Sequence, residues 1–270
     1  GPSYTTRDEI SKKGCKIWSS ATAEERAKLN DLLLEESAKR KLSGTLMMVV
    51  IAGEDMDSFE KKLEHLYSKF GSQIDYLAIG GIADQGIEFT EAILKKLRNF
   101  IDKKKWGVKV HGLGMGGLNN IPLLIKYGID TCDVATPWRR ACTDAVSNMY
   151  VPLFDKKLNI LNNKDALRYF EIYDSVWNKV SCDCPFCDDF NIKKIVKTYK
   201  KSDKRNNGNN QHSDDYYNMR VRIFFHNLFQ HISLLRKLDN LKKEFREDFL
   251  KEFIKQLPQE NLKKKFSKLL

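Results

Sequence analysis

The residues best placed to do chemistry in this chain are three cysteines. Cys182, Cys184 and Cys187 form a C-x-C-x-x-C run, half of the six cysteines gathered within six residues. Three thiolates on one tight loop suit a tetrahedral ion that takes soft ligands from one direction, and zinc is the ion of that kind. The fourth ligand must come from elsewhere. His226 and His231 stand in a helical stretch downstream, and His212 in a polar one. A site closed by four protein ligands is structural and does not activate water. A disulfide framework is the competing use of six cysteines, and the crowding at 182–187 in a chain that reads as intracellular argues against it. Cys15, Cys132 and Cys142 are expected to be free thiols, small and apolar enough for a core.

A second group lies upstream, in the segments His111-Gly-Leu-Gly-Met-Gly-Gly117, Tyr127-Gly-Ile-Asp130 and Cys132-Asp133-Val-Ala-Thr-Pro137-Trp-Arg139. A carboxylate at the C-terminal end of a strand is placed as barrel enzymes place their catalytic groups, but an aspartate there can equally cap a loop. Asp130 opens its strand and reads as structural. The glycines of 111–117 are wrongly spaced for a G-x-G-x-x-G dinucleotide loop.

These groups need elements to hold them. Ala23 to Lys41 is patterned as a charged helix, with Thr22 and Glu25 spaced as a capping box. Leu46 to Ala52 is a short apolar run with the profile of a buried parallel strand. Helices over 57–70, 89–103 and 118–127 then alternate with strands over 75–79, 108–113 and 130–135. Four β-α units with glycine or a polar residue at each strand's end predict part of a (β/α)₈ barrel; an open doubly wound sheet is the alternative. Residues 136–181 read as a loop-rich excursion with a helix near 164–171. Residues 200–215, polar and Asn-rich, read as a flexible insertion. Met219 to Leu270 is helical, with a break at Pro258. The division expected is a barrel portion over 1–150 and a metal-binding helical subdomain over 151–270.

The 270 residues suffice for one large or two small domains, and a hydrophobic share of 41% argues against global disorder. No apolar run is long enough to span a bilayer and no signal pattern opens the chain, so a cytoplasmic protein without membrane contact is expected. The net charge of +11 fits a polyanionic partner, or lysines spread over solvated helix faces.

Taken in order, these motifs resemble the tRNA-guanine transglycosylase family of the queuine and archaeosine type, which includes a DNA-modifying 7-deazaguanine branch. That family carries a C-x-C-x-x-C followed by a His-Asn pair and a long amphipathic helix. Here Cys182, Cys184 and Cys187 precede His226-Asn227, so the resemblance makes His226 the fourth zinc ligand. The gap before His226 is longer than usual, the excess falling in the Asn-rich stretch. The segment from Cys132 to Arg139 resembles the family's Phe-Asp-Cys…Pro-Thr-Arg block. Its aspartate, matched by Asp133, attacks C1′ of the target nucleoside and expels guanine. Arg139 matches an arginine suited to a phosphate, with Arg140 beside it. Gly80, Gly81, Ile82 and Ala83 resemble the Gly-Gly-Leu-Ala loop that contacts the incoming 7-deazaguanine. The methionine that stacks under the base aligns with Gly114, with Met115 one position on. The family's Gln-Gly appears as Ala52-Gly53 and the second arginine of the block as Cys142, so base selection is expected to differ.

The resemblance spans nearly the whole chain but only the later part of the family's pattern. The Asp-Ser-Gly-Gly-Phe motif, which supplies the general acid/base, is absent, and four strands stand where a closed barrel has about eight. The implied enzyme is a pentosyltransferase that replaces guanine in nucleic acid with a 7-deazaguanine. DNA is slightly favoured over tRNA, because a tRNA-type segment after the cysteines is not recognisable. A second chain supplying the first half of the barrel is expected, or else a homodimer; Gly1-Pro2-Ser3 resembles a cleavage scar, which would make this a piece of a longer chain. The rival reading is a non-catalytic, zinc-stabilised subunit that binds nucleic acid or a catalytic partner.

Overall fold

A computed structural model describes residues 22–52, 56–82, 85–117, 120–142, 182, 184–187, 214–255, 264 and 267. The chain opens with α1 (Ala23–Lys39), started by the expected capping box. Thr22 Oγ1 accepts the Glu25 amide at 3.2 Å and the Glu25 carboxylate accepts the Thr22 amide at 2.7 Å. Then follow β1 (Met48–Ala52), α2 (Met56–Phe70), β2 (Tyr76–Gly80), α3 (Ile87–Lys104), β3 (Lys109–Gly112), α4 (Ile121–Lys126), β4 (Thr131–Cys132) and α5 (Thr136–Cys142). After the cysteine loop come α6 (Asp214–Asp239) and α7 (Lys243–Lys255).

The four strands form one sheet in the order β1-β2-β3-β4, every pair parallel. This is the α/β arrangement expected from the alternation of apolar runs and helices. Side chains alternate between the two faces of a strand, and partners in register share a face. One face carries Val49, Ile51, Leu77, Ile79 and Val110, which join Phe59, Leu63, Leu66 and Phe70 of α2 and Ile93, Leu94, Leu97 and Ile101 of α3 in one core. The opposite face carries Met48, Tyr76 and Lys109 in one row, and Val50, Ala78, His111 and Thr131 in the next. Here the expectation for β1 is corrected. Its all-apolar sequence predicts a strand buried on both sides, but Met48 is 46% and Val50 61% exposed. The opposite face is open at β1, while Ala78 farther along the same row is buried.

Two aspartates fix the strands at their N-terminal ends. Asp75 Oδ2 accepts the Met47 amide at 2.6 Å and the Lys41 ammonium at 2.6 Å, while the Asp75 amide donates to the Met47 carbonyl at 3.0 Å. The Lys41 and Met47 hydrogen bonds hold the Asp75 carboxyl below its ordinary value. Asp130 repeats the device one unit later: Oδ2 accepts the Val110 amide at 2.8 Å and its own amide donates to the Val110 carbonyl at 3.0 Å. Each aspartate thereby sets the stagger between its strand and the one it clasps. Asp130 has the structural place its sequence position suggests.

Some of the lysines work between helices. Lys69 meets Asp31 and Glu35 of α1, Lys96 meets Glu60, and Lys104 meets Glu64. These pairs are solvated and individually weak. They account for part of the charge pattern without a polyanion.

Four expectations change from β4 onward. Residues 136–142, read as loop, form helix α5, whose second residue is Pro137, a position that needs no amide donor. Seven residues are too few for a helix to persist by propensity, and tertiary packing supplies the difference. Trp138 meets Phe224 of α6 edge-on at 5.3 Å, and Arg220 of α6 donates to the Ala141 carbonyl at 2.9 Å and to that of Cys142. A cation on the last carbonyls of a helix also complements its dipole. Helix α6 begins at Asp214, inside the stretch read as flexible, and the helical tail breaks at Asn240–Lys242, well before Pro258. Strand β4 ends at Cys132 rather than near Ala135. The predicted helix near 164–171, Pro258 and most of 200–215 lie outside the described residues, as does Cys15.

Both Asp130 and Asp133 accept a backbone amide, but that of Val110 is at a buried strand residue and that of Gly114 at an exposed turn open to water, so the two should separate on mutation. Asp130→Ala is expected to lower stability by about 1–3 kcal/mol through the stranded Val110 amide, measured by urea denaturation. Asp133→Ala is expected to leave the midpoint nearly unchanged.

Candidate functional site

Two groups of chemically capable side chains emerge, joined by α6. In the first, Cys182, Cys184 and Cys187 converge on His226. The loop is a tight turn in which the Cys187 amide donates to the Cys184 carbonyl at 3.0 Å. His226 lies in mid-α6 and is fully buried. The four ligand atoms lie within 4.8 Å of one another, and each cysteine Sγ is 3.4 Å from His226 Nδ1. A tetrahedral zinc with sulphur at ~2.3 Å and nitrogen at ~2.0 Å would set each S···N edge at about 3.5 Å. The spacing fits such an ion.

The protonation chemistry agrees. Three sulphurs this close cannot all ionise without a cation between them. Hydrogen bonds with Cys182 and Cys187 pull the Cys184 thiol far below its ordinary value, while hydrogen bonds with Cys182 and Cys184 push Cys187 far above it. Burial works to lower His226, but hydrogen bonds with Cys182 and Cys184 overcome it and push the ring up to about 10. A bound divalent cation resolves that conflict by stabilising all three thiolates and a neutral imidazole. Around the group, Gln230 Nε2 reaches Cys182 Sγ at 3.7 Å and Phe186 stacks on Phe225 at 4.9 Å. These contacts seat the loop on α6. Of the other histidines considered for the fourth position, His231 stands apart from the cluster and His212 lies outside the described residues.

The second group sits at the C-terminal ends of β3 and β4. Asp133 follows β4 with its side chain 54% exposed. Its Oδ1 accepts the Gly114 amide at 2.7 Å and lies 3.3 Å from His111 Nε2. The other ring nitrogen, His111 Nδ1, is 2.8 Å from Thr131 Oγ1. The turn after β3 is folded onto this segment: Gly114 has φ +68°, and the Gly116 amide donates to the Asp133 carbonyl at 3.0 Å. A Cβ at Gly116 would lie 2.7 Å from that carbonyl oxygen and 2.8 Å from Val134 Cβ, so only glycine permits the approach. The adjacent Cys132 is held as a thiol. Burial raises its thiol, and the neighbouring Asp133 charge raises it further.

The remaining expected residues are distributed around this point. Gly80 ends β2, packed between Leu113 and Val50, and Gly81 turns away from it with φ +75°. Ile82 and Met115 are fully buried side chains of the core, Met115 lying against Gly112. Arg139 is an exposed residue of α5. Ala83, Gly53 and the side chain of Arg140 lie outside the described residues. The structure thus joins Gly114 to Asp133 directly and sets Gly80–Gly81 at the same end of the sheet. His111 and Thr131 were not among the expected site residues. The signal was available: His111 is a polar residue in an apolar strand, and Thr131 and Asp133 are two apart, the spacing of one strand face.

A sequence model of the queuine tRNA-ribosyltransferase family matches residues 13–213. The chain belongs to the queuine tRNA-ribosyltransferase family. Membership brings the TIM-barrel type of fold and guanine base exchange on a nucleic acid as the general activity, and makes the protein a transglycosylase. The family span includes all four strands, Asp133 and the three cysteines but ends before His226, so the fourth ligand rests on geometry. No curated protein and no solved structure matches the chain. Among the described residues no helix is long and apolar enough to cross a membrane.

Two outcomes follow from this geometry. His226→Ala is expected to abolish retention of one zinc equivalent, read by elemental mass spectrometry, and to lower the melting temperature, because the metal's binding energy is folding energy. The second concerns His231, also fully buried on α6, with neither ring nitrogen hydrogen-bonded. Burial pushes its ring down to about 4, a weak interaction with the Gly116 backbone offsetting only part of that. Between that value and the unfolded ~6.5 the unfolded chain binds the extra proton, so stability is full above pH ~6.5 and falls as pH drops toward 4. The loss approaches about 3 kcal/mol. His231→Phe is expected to flatten that part of the stability–pH curve.

Proposed function

We propose that this chain is the nucleophile-bearing part of a guanine transglycosylase that inserts a 7-deazaguanine into nucleic acid through a covalent intermediate on Asp133. The observation that carries the reading is the state of that carboxylate. It stands at the C-terminal end of its strand, where barrel enzymes work, with Oδ1 held by a backbone amide and half its surface open. A carboxylate is a competent nucleophile at an oxocarbenium-like anomeric carbon. Asp133 forms a bond to C1′ as the C1′–N9 bond breaks, and guanine leaves with the electron pair and takes up a proton. N9 of the incoming base, losing its own proton, then attacks C1′ and releases the carboxylate. Gly80, Gly81 and Gly114 border the space in which a planar base would lie. Arg139 is assigned to the nucleic-acid backbone, and Ile82 and Met115 to shaping the turns from beneath.

Zinc is the ion assigned to Cys182, Cys184, Cys187 and His226, in a structural role. The sequence pattern favours DNA slightly, through an unrecognisable tRNA-type segment and the existence of a DNA-modifying branch of the family. The family matched is described by tRNA and its span crosses that region, so tRNA is now the first substrate to test and guanine-containing DNA the second. In either, a paired target must be flipped out of its stack. The general acid/base and the remaining strands are assigned to a second polypeptide, or with less support to a second copy of this chain. What supports this is the exposure of Met48 and Val50 on β1, since exposed apolar sheet surface invites a covering partner. The barrel portion over 1–150 and the zinc-bearing portion over 151–270 would then act as one body in a cytoplasmic enzyme.

The experiment is mass spectrometry of the chain incubated with tRNA or DNA, alone and with a candidate partner half, to trap an adduct on the peptide containing Asp133. An adduct is expected, absent in Asp133→Ala, with turnover reduced by roughly 10⁴-fold or more in that variant. A monomer fully active by itself would end the split-enzyme part of the reading. An intact fold with zinc bound, no adduct in any combination and an Asp133→Ala variant that binds partners normally would favour a non-catalytic scaffold.

A further inference from the structure

The contacts around Asp133 specify more than which residue attacks. We infer that His111 is a positioning residue held in a single tautomer by Thr131, and that its hydrogen bond leaves Oδ2 of Asp133 as the attacking atom. This rests on the proposed role of Asp133. The three side chains share one face of the sheet: His111 and Thr131 are register partners in β3 and β4, and Asp133 follows two residues after Thr131.

The tautomer follows from the partners. Asp133 Oδ1, 3.3 Å from His111 Nε2, is a carboxylate oxygen and can only accept, so Nε2 must carry the proton. A neutral ring then has a bare Nδ1, which needs a donor. The Thr131 hydroxyl at 2.8 Å supplies it. The relay therefore runs from the Thr131 O–H to Nδ1, and from Nε2–H to Oδ1. The Gly114 amide adds a second donor to the same oxygen at 2.7 Å. Among the described residues Oδ2 receives no hydrogen bond, so its lone pairs are free to meet C1′.

With the ring in that neutral tautomer neither donor on Oδ1 is charged, which matters for reactivity. They fix the plane of the carboxylate and satisfy one oxygen without placing a full positive charge beside the nucleophile. The ring is mostly covered, its side chain 15% exposed, and the strand on which it stands is hydrogen-bonded on both sides. An exposed carboxylate on a short loop would otherwise sample several rotamers, and a displacement of about 1 Å at a reacting atom can cost on the order of a hundredfold. Thr131 acts through the ring and does not touch the nucleophile.

The test has a spectroscopic arm that does not depend on turnover. Long-range ¹H–¹⁵N correlation of the histidine rings, assigned by difference with His111→Gln, is expected to show His111 protonated at Nε2 and bare at Nδ1. Thr131→Val, near-isosteric and at an exposed position, is expected to shift that ring toward mixed tautomers, while Thr131→Ser keeps it. In the kinetic arm, His111→Ala is expected to lower kcat by about tenfold to a hundredfold with KM little changed. His111→Gln, whose amide can reach the same oxygen, should recover most of it. An Nδ1–H ring in the native protein overturns the inference, as does a His111→Gln variant no better than His111→Ala at equal stability. If instead Asp133→Ala retains activity, the parent reading fails, and the ring correlation still decides whether the relay exists.

Discussion

His226 has no solvent contact, and its Nδ1 lies at one distance from three sulphurs, so α6 must keep that side turned to the cysteine loop whatever else it touches. Few constraints in the molecule are as narrow. A helix of 26 residues is about 39 Å long, and fixing it in the middle fixes both of its ends. Six residues before His226, Arg220 closes the C-terminus of α5; two before, Phe224 meets Trp138; five after, His231 lies buried near the Gly116 turn. The segment holding Asp133 runs between β4 and α5. The ion that fits the cysteines is linked mechanically to the Asp133 segment, through one helix and one turn.

That linkage explains why a closed, chemically idle metal group belongs in a transglycosylase. The sheet positions Asp133 only at its start, through β4. Beyond Cys132 the chain has left the ladder, and the path to α5 is set by the Gly116 amide on the Asp133 carbonyl and by α6 holding the other end. A metal group that orders α6 would thus contribute to the geometry around Asp133 without touching it.

How much of this could be read beforehand follows the range of the interactions. The capping box at Thr22, the alternation of strands and helices, and the structural place of Asp130 depend on neighbours within a few residues or on one strand's pattern, and the sequence carried them. The cysteine cluster was visible from spacing alone, while the choice of His226 over His231 needed the resemblance and then the fold. Helix α5 was missed because its stability comes from Trp138 and from Arg220, which stands about eighty residues away. The exposure of Val50 was missed because an apolar strand says how much it can bury, and not how much cover it has. His111 was overlooked because its partners Thr131 and Asp133 become neighbours only through strand register.

The paired aspartates at the strand starts have a consequence for how the fold can diverge. Asp75 and Asp130 fix the stagger of adjacent strands at one rim of the sheet, each through a two-way clasp on a backbone unit. At the opposite rim, among the described residues, the comparable clasp joins turns and not strands: Asp133 takes the Gly114 amide on its carboxylate and the Gly116 amide on its carbonyl, beyond the ends of β3 and β4. Insertions or exchanges there can reshape what the rim accepts while leaving strand alignment untouched. The architecture separates heritable alignment from adjustable selectivity, with about four residues of strand between them.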